Sequence, residues 1–186
     1  MRRRKLLSVI LALSLCLTLP LGMAAAEETA GTVKEVISSQ ELTEALADSA
    51  NAVVKLTADI TIEKSLTVRR TVTLDLNDHV LKMTGNDSVI KVNSGGDLTL
   101  TDSAETKTAK KFSVTDNLWT LDDTGDHFVT GGVITGGKVF LNGRDALGGG
   151  VFVAENGTFT MNGGNIAGCT VRASKGLALG GGVYVA

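Results

Sequence analysis

The chain has 186 residues, with 18 Lys+Arg against 20 Asp+Glu, enough for one domain with its own core. The first five residues hold four of the 18 positive side chains, so from Glu27 onward 14 stand against 20, a net of −6. A scattered acidic surface opposes phosphate binding, which depends on clustered Lys and Arg, so nucleic acid is excluded as an expected partner.

Residues 1–26 read as a secretory leader. Arg2, Arg3, Arg4 and Lys5 form a basic start, Leu6 to Leu19 is apolar, and Ala24-Ala25-Ala26 supplies small residues for cleavage. The apolar run is shorter than the ~20 residues that a membrane span requires. A secreted or cell-surface protein with no transmembrane span after leader removal is therefore expected. Residues 27–52 read as an N-terminal segment carrying a helix at about 39–49. Ser38 or Ser39 caps it, and Leu42, Ala45 and Leu46 recur at helical spacing. Its expected role is to cover the end of a stack of strands, where unpaired edges invite aggregation.

From residue 53 the pattern changes to short strands. Val53 to Ile62, Val72 to Leu76, Val80 to Met83, Val89 to Val92 and Leu98 to Leu100 are rich in β-branched and aliphatic residues. Turn residues separate them at Asn77-Asp78, Gly85-Asn86-Asp87 and Ser94 to Asp97. Leu56, Leu74 and Leu98 are taken as equivalent positions on successive rungs. Residues 103–127 interrupt this spacing and read as an inserted loop, with Gly125 in register with Gly157 as part of an atypical rung.

The last third contains an internal repeat. Residues 131–154 match residues 163–186 at 13 of 24 positions, at a constant shift of 32. Such a period means stacked units, none of which buries its apolar face alone. Seventeen of the 22 glycines fall at or after Gly125, between the strand runs. The only proline is Pro20, which suits continuous ladders in which nearly every amide pairs. The expected fold is all-β, a right-handed parallel β-helix over 53–186 with a short N-terminal capping α-helix. The shift predicts core columns of Ile134 with Ile166, Val151 with Val183 and Val153 with Val185. Because Gly180 to Ala186 repeats Gly148 to Ala154, the chain is expected to stop partway round a rung, with more repeats downstream. Beyond the leader, Cys169 has no cysteine to pair with and is expected to be a small apolar filler.

Leu42 to Leu46, Lys55 to Ile60, Leu74 to Asn77 and Gly148 to Val153 resemble the N-terminal part of large repetitive surface proteins of Gram-positive gut bacteria, of the pectin-lyase-like β-helix superfamily. The resemblance covers essentially all of 33–186. The Gly-Gly-Gly-Val motifs with Phe159-Thr160-Met161-Asn162 are also similar to repeats of polymorphic outer-membrane adhesins. These likenesses imply a fold and a cell-surface setting; chemistry has to come from a site.

Three classes of activity follow. A polysaccharide enzyme needs paired carboxylates with an acid–base partner. Asp116, Asp122, Asp123, Asp126 and His127 are the nearest approach, but no Gly-His-Gly or Arg-x-Lys accompanies them and no catalytic residue is assigned. Asp122, Asp123 and Asp126 offer hard oxygens to an incidental Ca2+, although their spacing matches no calcium loop. No other cofactor is expected. The leading expectation is adhesin-like binding of carbohydrate or of a partner protein, with Trp119 and Tyr184 as the ligand-binding aromatics. A passive spacer comes second and an enzyme last.

Overall fold

The computed structural model of the chain describes residues 32–186; the expected leader lies outside them. Strand β1 (Thr32–Val36) leads into helix α1 (Ser39–Ala47). Ser38 caps the helix: its Oγ accepts the Glu41 N–H at 3.3 Å, and Glu41 reaches back to accept the Ile37 N–H at 2.9 Å. This mutual satisfaction of otherwise orphaned amides is why the helix starts where the sequence places it. Leu42, Ala45 and Leu46 are buried, as their spacing predicts.

The chain then runs through strands in circuits of three. The first circuit is β2 (Asn51–Leu56), β3 (Ile60–Ile62) and β4 (Leu66–Val68), and the second is β5 (Thr71–Asp75), β6 (Val80–Met83) and β7 (Ile90–Val92). The third opens with β8 (Asp97–Thr101) and is interrupted by β9 (Ala109–Thr115), β10 (Leu118–Leu121) and β11 (His127–Thr130). It resumes at β12 (Val133–Thr135), makes an excursion through β13 (Lys138–Leu141) and β14 (Ala146–Leu147), and closes with β15 (Val151–Val153). The fourth circuit is β16 (Thr158–Met161), β17 (Asn165–Ile166), a matching excursion through β18 (Thr170–Ala173) and β19 (Ala178–Leu179), and β20 (Val183–Val185).

Equivalent strands of successive circuits pair in parallel and form three sheets. The first is β1-β2-β5-β8-β16, the second β3-β6-β12-β17, and the third β4-β7-β15-β20. The described residues are thus mostly β, with parallel sheets and one helix. Ile134 pairs with Ile166, Val151 with Val183 and Val153 with Val185, as the 32-residue shift predicts. These columns extend backwards: Ile134 pairs with Leu81 and Leu81 with Ile60, while Val151 pairs with Ile90 and Ile90 with Leu66. In these columns the side chains of the first three circuits are buried in one continuous aliphatic core, against which Ile166 and Val183 pack partly buried, while Val185 is exposed. Burial removes the core methylenes from water at about 0.8 kcal/mol each, the main favourable contribution where the one cysteine among the described residues, Cys169, is unpaired.

Two expectations need correction. Leu56, Leu74 and Leu98 are not equivalent: Leu74 pairs with Val54 and with Leu100, while Leu98 pairs with Val72. A slip of two residues keeps every side chain on its own face, so alternation cannot distinguish the two registers. The second correction concerns 103–127. It is an antiparallel sheet, with β9 between β10 and β11, rather than a loop. Gly125 lies in the turn between β10 and β11, where its N–H bonds the Asp122 carbonyl at 2.9 Å, and belongs to no rung. The signal was present in Asp116-Asn117, both in the left-handed region with φ of 53° and 61°. That is the two-residue hairpin turn whose twist suits antiparallel strands.

The glycine clusters have one clear purpose at the excursions. A Cβ on Gly137 would lie 1.9 Å from the Gly149 carbonyl oxygen, so the chain leaves and rejoins the circuit in backbone contact that only glycine permits.

Helix α1 packs on β2, β3 and β4, while β1 pairs along the outer edge of β2. The helix has no basic residue in its last turn; Arg70 supplies the cation from the next circuit. Its guanidinium donates to the carbonyls of Ala45 at 3.0 Å, Leu46 at 3.0 Å and Asn51 at 2.7 Å. These include helix C-terminal carbonyls that have no partner inside the helix. Arg70→Ala should cost about 2 kcal/mol, and Arg70→Lys should recover less than half, since an ammonium cannot span the fork. Denaturant midpoints of the three proteins measure this; an unchanged midpoint in Arg70→Ala would contradict it.

Candidate functional site

The antiparallel sheet folds back over the outer face of the second parallel sheet. Val80 and Val133 point away from the main core, and each would be exposed in a bare sheet. Both are buried against Phe112 instead, with Trp119, Leu121, Val129 and Ala167 packed around them. Phe112 is fully buried, and Thr135, on the same outer face, is 1% exposed. A second, small apolar core therefore holds the inserted sheet in place.

Its base is closed by carboxylates. Asp102 Oδ1 accepts the Asp78 N–H at 2.7 Å, and Oδ2 accepts the Gly132 N–H at 3.0 Å and the Lys107 ammonium at 3.0 Å. Asp78 in turn accepts the Thr108 N–H at 2.9 Å and the Lys110 ammonium at 3.0 Å. Desolvation pushes both carboxyls upward, but these donors outweigh it and hold both below the usual aspartate value. The point of departure, the point of return and the circuit beneath are thus tied through two side chains.

Between the inserted sheet and the second parallel sheet lies a cleft of about 220 Å³. Trp119 and the backbone of Leu118 to Leu121 form one wall, with Thr84, Lys82 and Lys138 opposite. Trp119 is partly exposed. It is flanked by Phe112 at 5.7 Å between ring centroids and by His127 in an edge contact at 5.1 Å. Gly168 forms the far boundary, and a Cβ there would come within 2.8 Å of the Trp119 carbonyl oxygen. Its φ of +65° adds a second reason for glycine. A larger hollow of about 490 Å³ beside α1 carries Glu44, Glu63 and Lys64 and offers no aromatic face.

The structure separates the residues singled out in the sequence. Trp119 lines the cleft. Tyr184 lies on the third sheet, its ring stacked on Phe152 at 5.9 Å and 15°, so the two expected aromatics belong to different surfaces. Asp122 is used in the turn after β10: its oxygens accept the Ser113 hydroxyl at 2.6 Å and the Thr124 N–H at 2.9 Å. Those bonds, the Ser113 one first, lower its pKa. Asp126 pairs with His127 at 2.6 Å. Asp122, Asp123 and Asp126 do not gather into a cation site, for no group of three His, Cys, Asp or Glu among the described residues is arranged to hold a metal. Turn formation recruits Asp122, and Asp126 is taken up by its neighbour His127. Cys169 packs against the main core, and burial pushes its thiol up to about 11, against a weaker lowering bond from Gly137. It behaves as a filler and not as a nucleophile.

Sequence reasoning missed Lys82, Lys138 and Gly168 as neighbours of Trp119. Alternation in β6 shows that Lys82 points outward, but nothing local indicates that an insertion 30 residues later covers that face. Among the described residues no helix is long and apolar enough to cross a membrane. Comparison with protein-family models, curated proteins and solved structures gave no match.

Proposed function

We propose that the chain is a right-handed parallel β-helix module of an exported surface protein, and that it binds carbohydrate in the cleft beside Trp119. The ordered visit to three parallel sheets in each circuit supports the β-helix, and the basic and apolar runs of residues 1–26 support export. The observation that carries the binding reading is the partly exposed indole in a cleft built by an insertion with its own core. A partly exposed indole offers apolar area suited to contact with a sugar ring. A spacer needs only the rungs and has no use for the inserted sheet.

The test is a glycan array probed with the purified chain and with Trp119→Ala. Retention on at least one glycan class is expected, weakened about tenfold in the variant, equivalent to ~1.4 kcal/mol. Absence of retention on every glycan by a folded chain would leave the spacer reading in its place.

A further inference from the structure

Charge distribution around the cleft carries the reading one step further. The described residues include many exposed carboxylates, yet none lines this cleft, whereas two ammonium groups do: Lys82 from β6 and Lys138 from β13. Three other lysines are already paired, Lys107 with Asp102, Lys110 with Asp78 and Lys91 with Asp87. Lys82 and Lys138 make no ion pair among the described residues. In a chain with a net charge of −2, an acid-free cleft with two uncompensated cations attracts anions to one place.

Resting on the carbohydrate-binding reading, we infer that the cleft takes a single anionic sugar residue at the end of a glycan, its ring against Trp119 and its acidic group between Lys82 and Lys138. Size sets the single residue. At about 220 Å³ the cleft falls below the ~300–1,000 Å³ usual for drug-sized ligands, leaving room for one ring. Thr84, also in the lining, donates its hydroxyl proton to the Ile62 carbonyl at 3.2 Å and keeps an oxygen of the type that accepts from ring hydroxyls. Lysine suits this role because an ammonium is a point charge that accepts a carboxylate or a sulfate without demanding planar geometry. The shared chemistry is therefore an anionic sugar, and the two acidic groups are distinguished by experiment.

Trp119 is the only tryptophan of the chain, so intrinsic fluorescence reports directly on the cleft. The full chain would be titrated with the methyl glycosides of glucuronic acid and N-acetylneuraminic acid, with galactose 6-sulfate, with the neutral methyl glucoside and galactoside, and with inorganic sulfate. Saturable change is expected with one or more acidic sugars, at least tenfold weaker with their neutral counterparts and weaker still at high salt. Whether the carboxylated or the sulfated probes saturate first identifies the acidic group. Lys82→Gln and Lys138→Gln should each weaken acidic-sugar binding about tenfold, or ~1.4 kcal/mol, while leaving the emission of the free protein unchanged. Equal response to acidic and neutral sugars would overturn the inference, as would undiminished binding in the double lysine variant. Inorganic sulfate binding as tightly as the acidic sugars would also overturn it, reducing the cleft to an anion site without sugar recognition. If the array retains the chain while Trp119 stays silent to every probe, this inference falls and carbohydrate binding stands, elsewhere on the surface. If the array retains nothing, both fall.

Discussion

Phe112→Ala is expected to release the inserted sheet from the parallel sheets without unravelling them. Phe112 is fully buried, and its ring packs with Val80 and Val133 beneath and Trp119 beside it. Truncating a buried phenylalanine to alanine costs about 3–5 kcal/mol through lost transfer energy and the cavity left behind. The small cluster cannot absorb that loss, because it has only three fully enclosed members among the described residues. The main core is a separate cluster that does not contain Phe112, so the damage should stay local. Trp119 emission should shift to the red as water reaches the indole, and amides of 109–130 should lose exchange protection while those of β6, β12 and β17 keep theirs. Binding in the cleft should disappear with its wall. Leu81→Ala is the contrast: that side chain lies in the main core, and its loss of about 2–5 kcal/mol should lower the stability of the whole stack. Identical exchange patterns in the two variants would refute the division into two cores.

Asp102→Ala should be almost as costly, for an electrostatic reason. The side chain is 1% exposed, and its loss strands the Asp78 and Gly132 amides and leaves Lys107 unpaired. Each buried donor left without an acceptor costs about 1–3 kcal/mol, so a total on the order of 3 kcal/mol is expected. Asp102→Asn retains an acceptor oxygen but sets an amide group against one of the donors, and it should recover only part of the loss. The pH dependence has a definite sign. The folded carboxyl titrates below its ordinary value, so its contribution is complete above the unfolded pKa of about 3.9 and fades as pH falls through the lower folded value. Wild type should therefore lose stability steeply below about pH 4, and Asp102→Asn should show a shallower slope there, because one titrating group has gone. Denaturant midpoints measured at a series of pH values decide it: parallel curves for the two proteins would mean that Asp102 contributes nothing through its charge.

Much of this architecture was legible in residues close together in the chain. Ser38 with Glu41 marks the helix start because its orphaned amides need partners within one turn. The short strands announce themselves through β-branched alternation. The 32-residue shift determines the pairing of Ile134 with Ile166 and Val151 with Val183, because two segments that repeat the same strand and turn positions stack most easily with like over like. Those are local or repeated signals, and local physics suffices for them. The register of Leu74 against Val54 and Leu100 was not legible, since a two-residue slip leaves the buried face intact and the choice falls to turn length and packing. The cleft was still less so. Trp119 stood out by its composition alone, but Lys82, Lys138 and Gly168 became its neighbours only when the inserted sheet, anchored by Phe112 and Asp102, closed over the second parallel sheet. Contacts between residues tens of positions apart depend on how faces with unspent apolar surface find cover. Only the folded chain, with Val80 and Val133 needing to be hidden, decides which face that is.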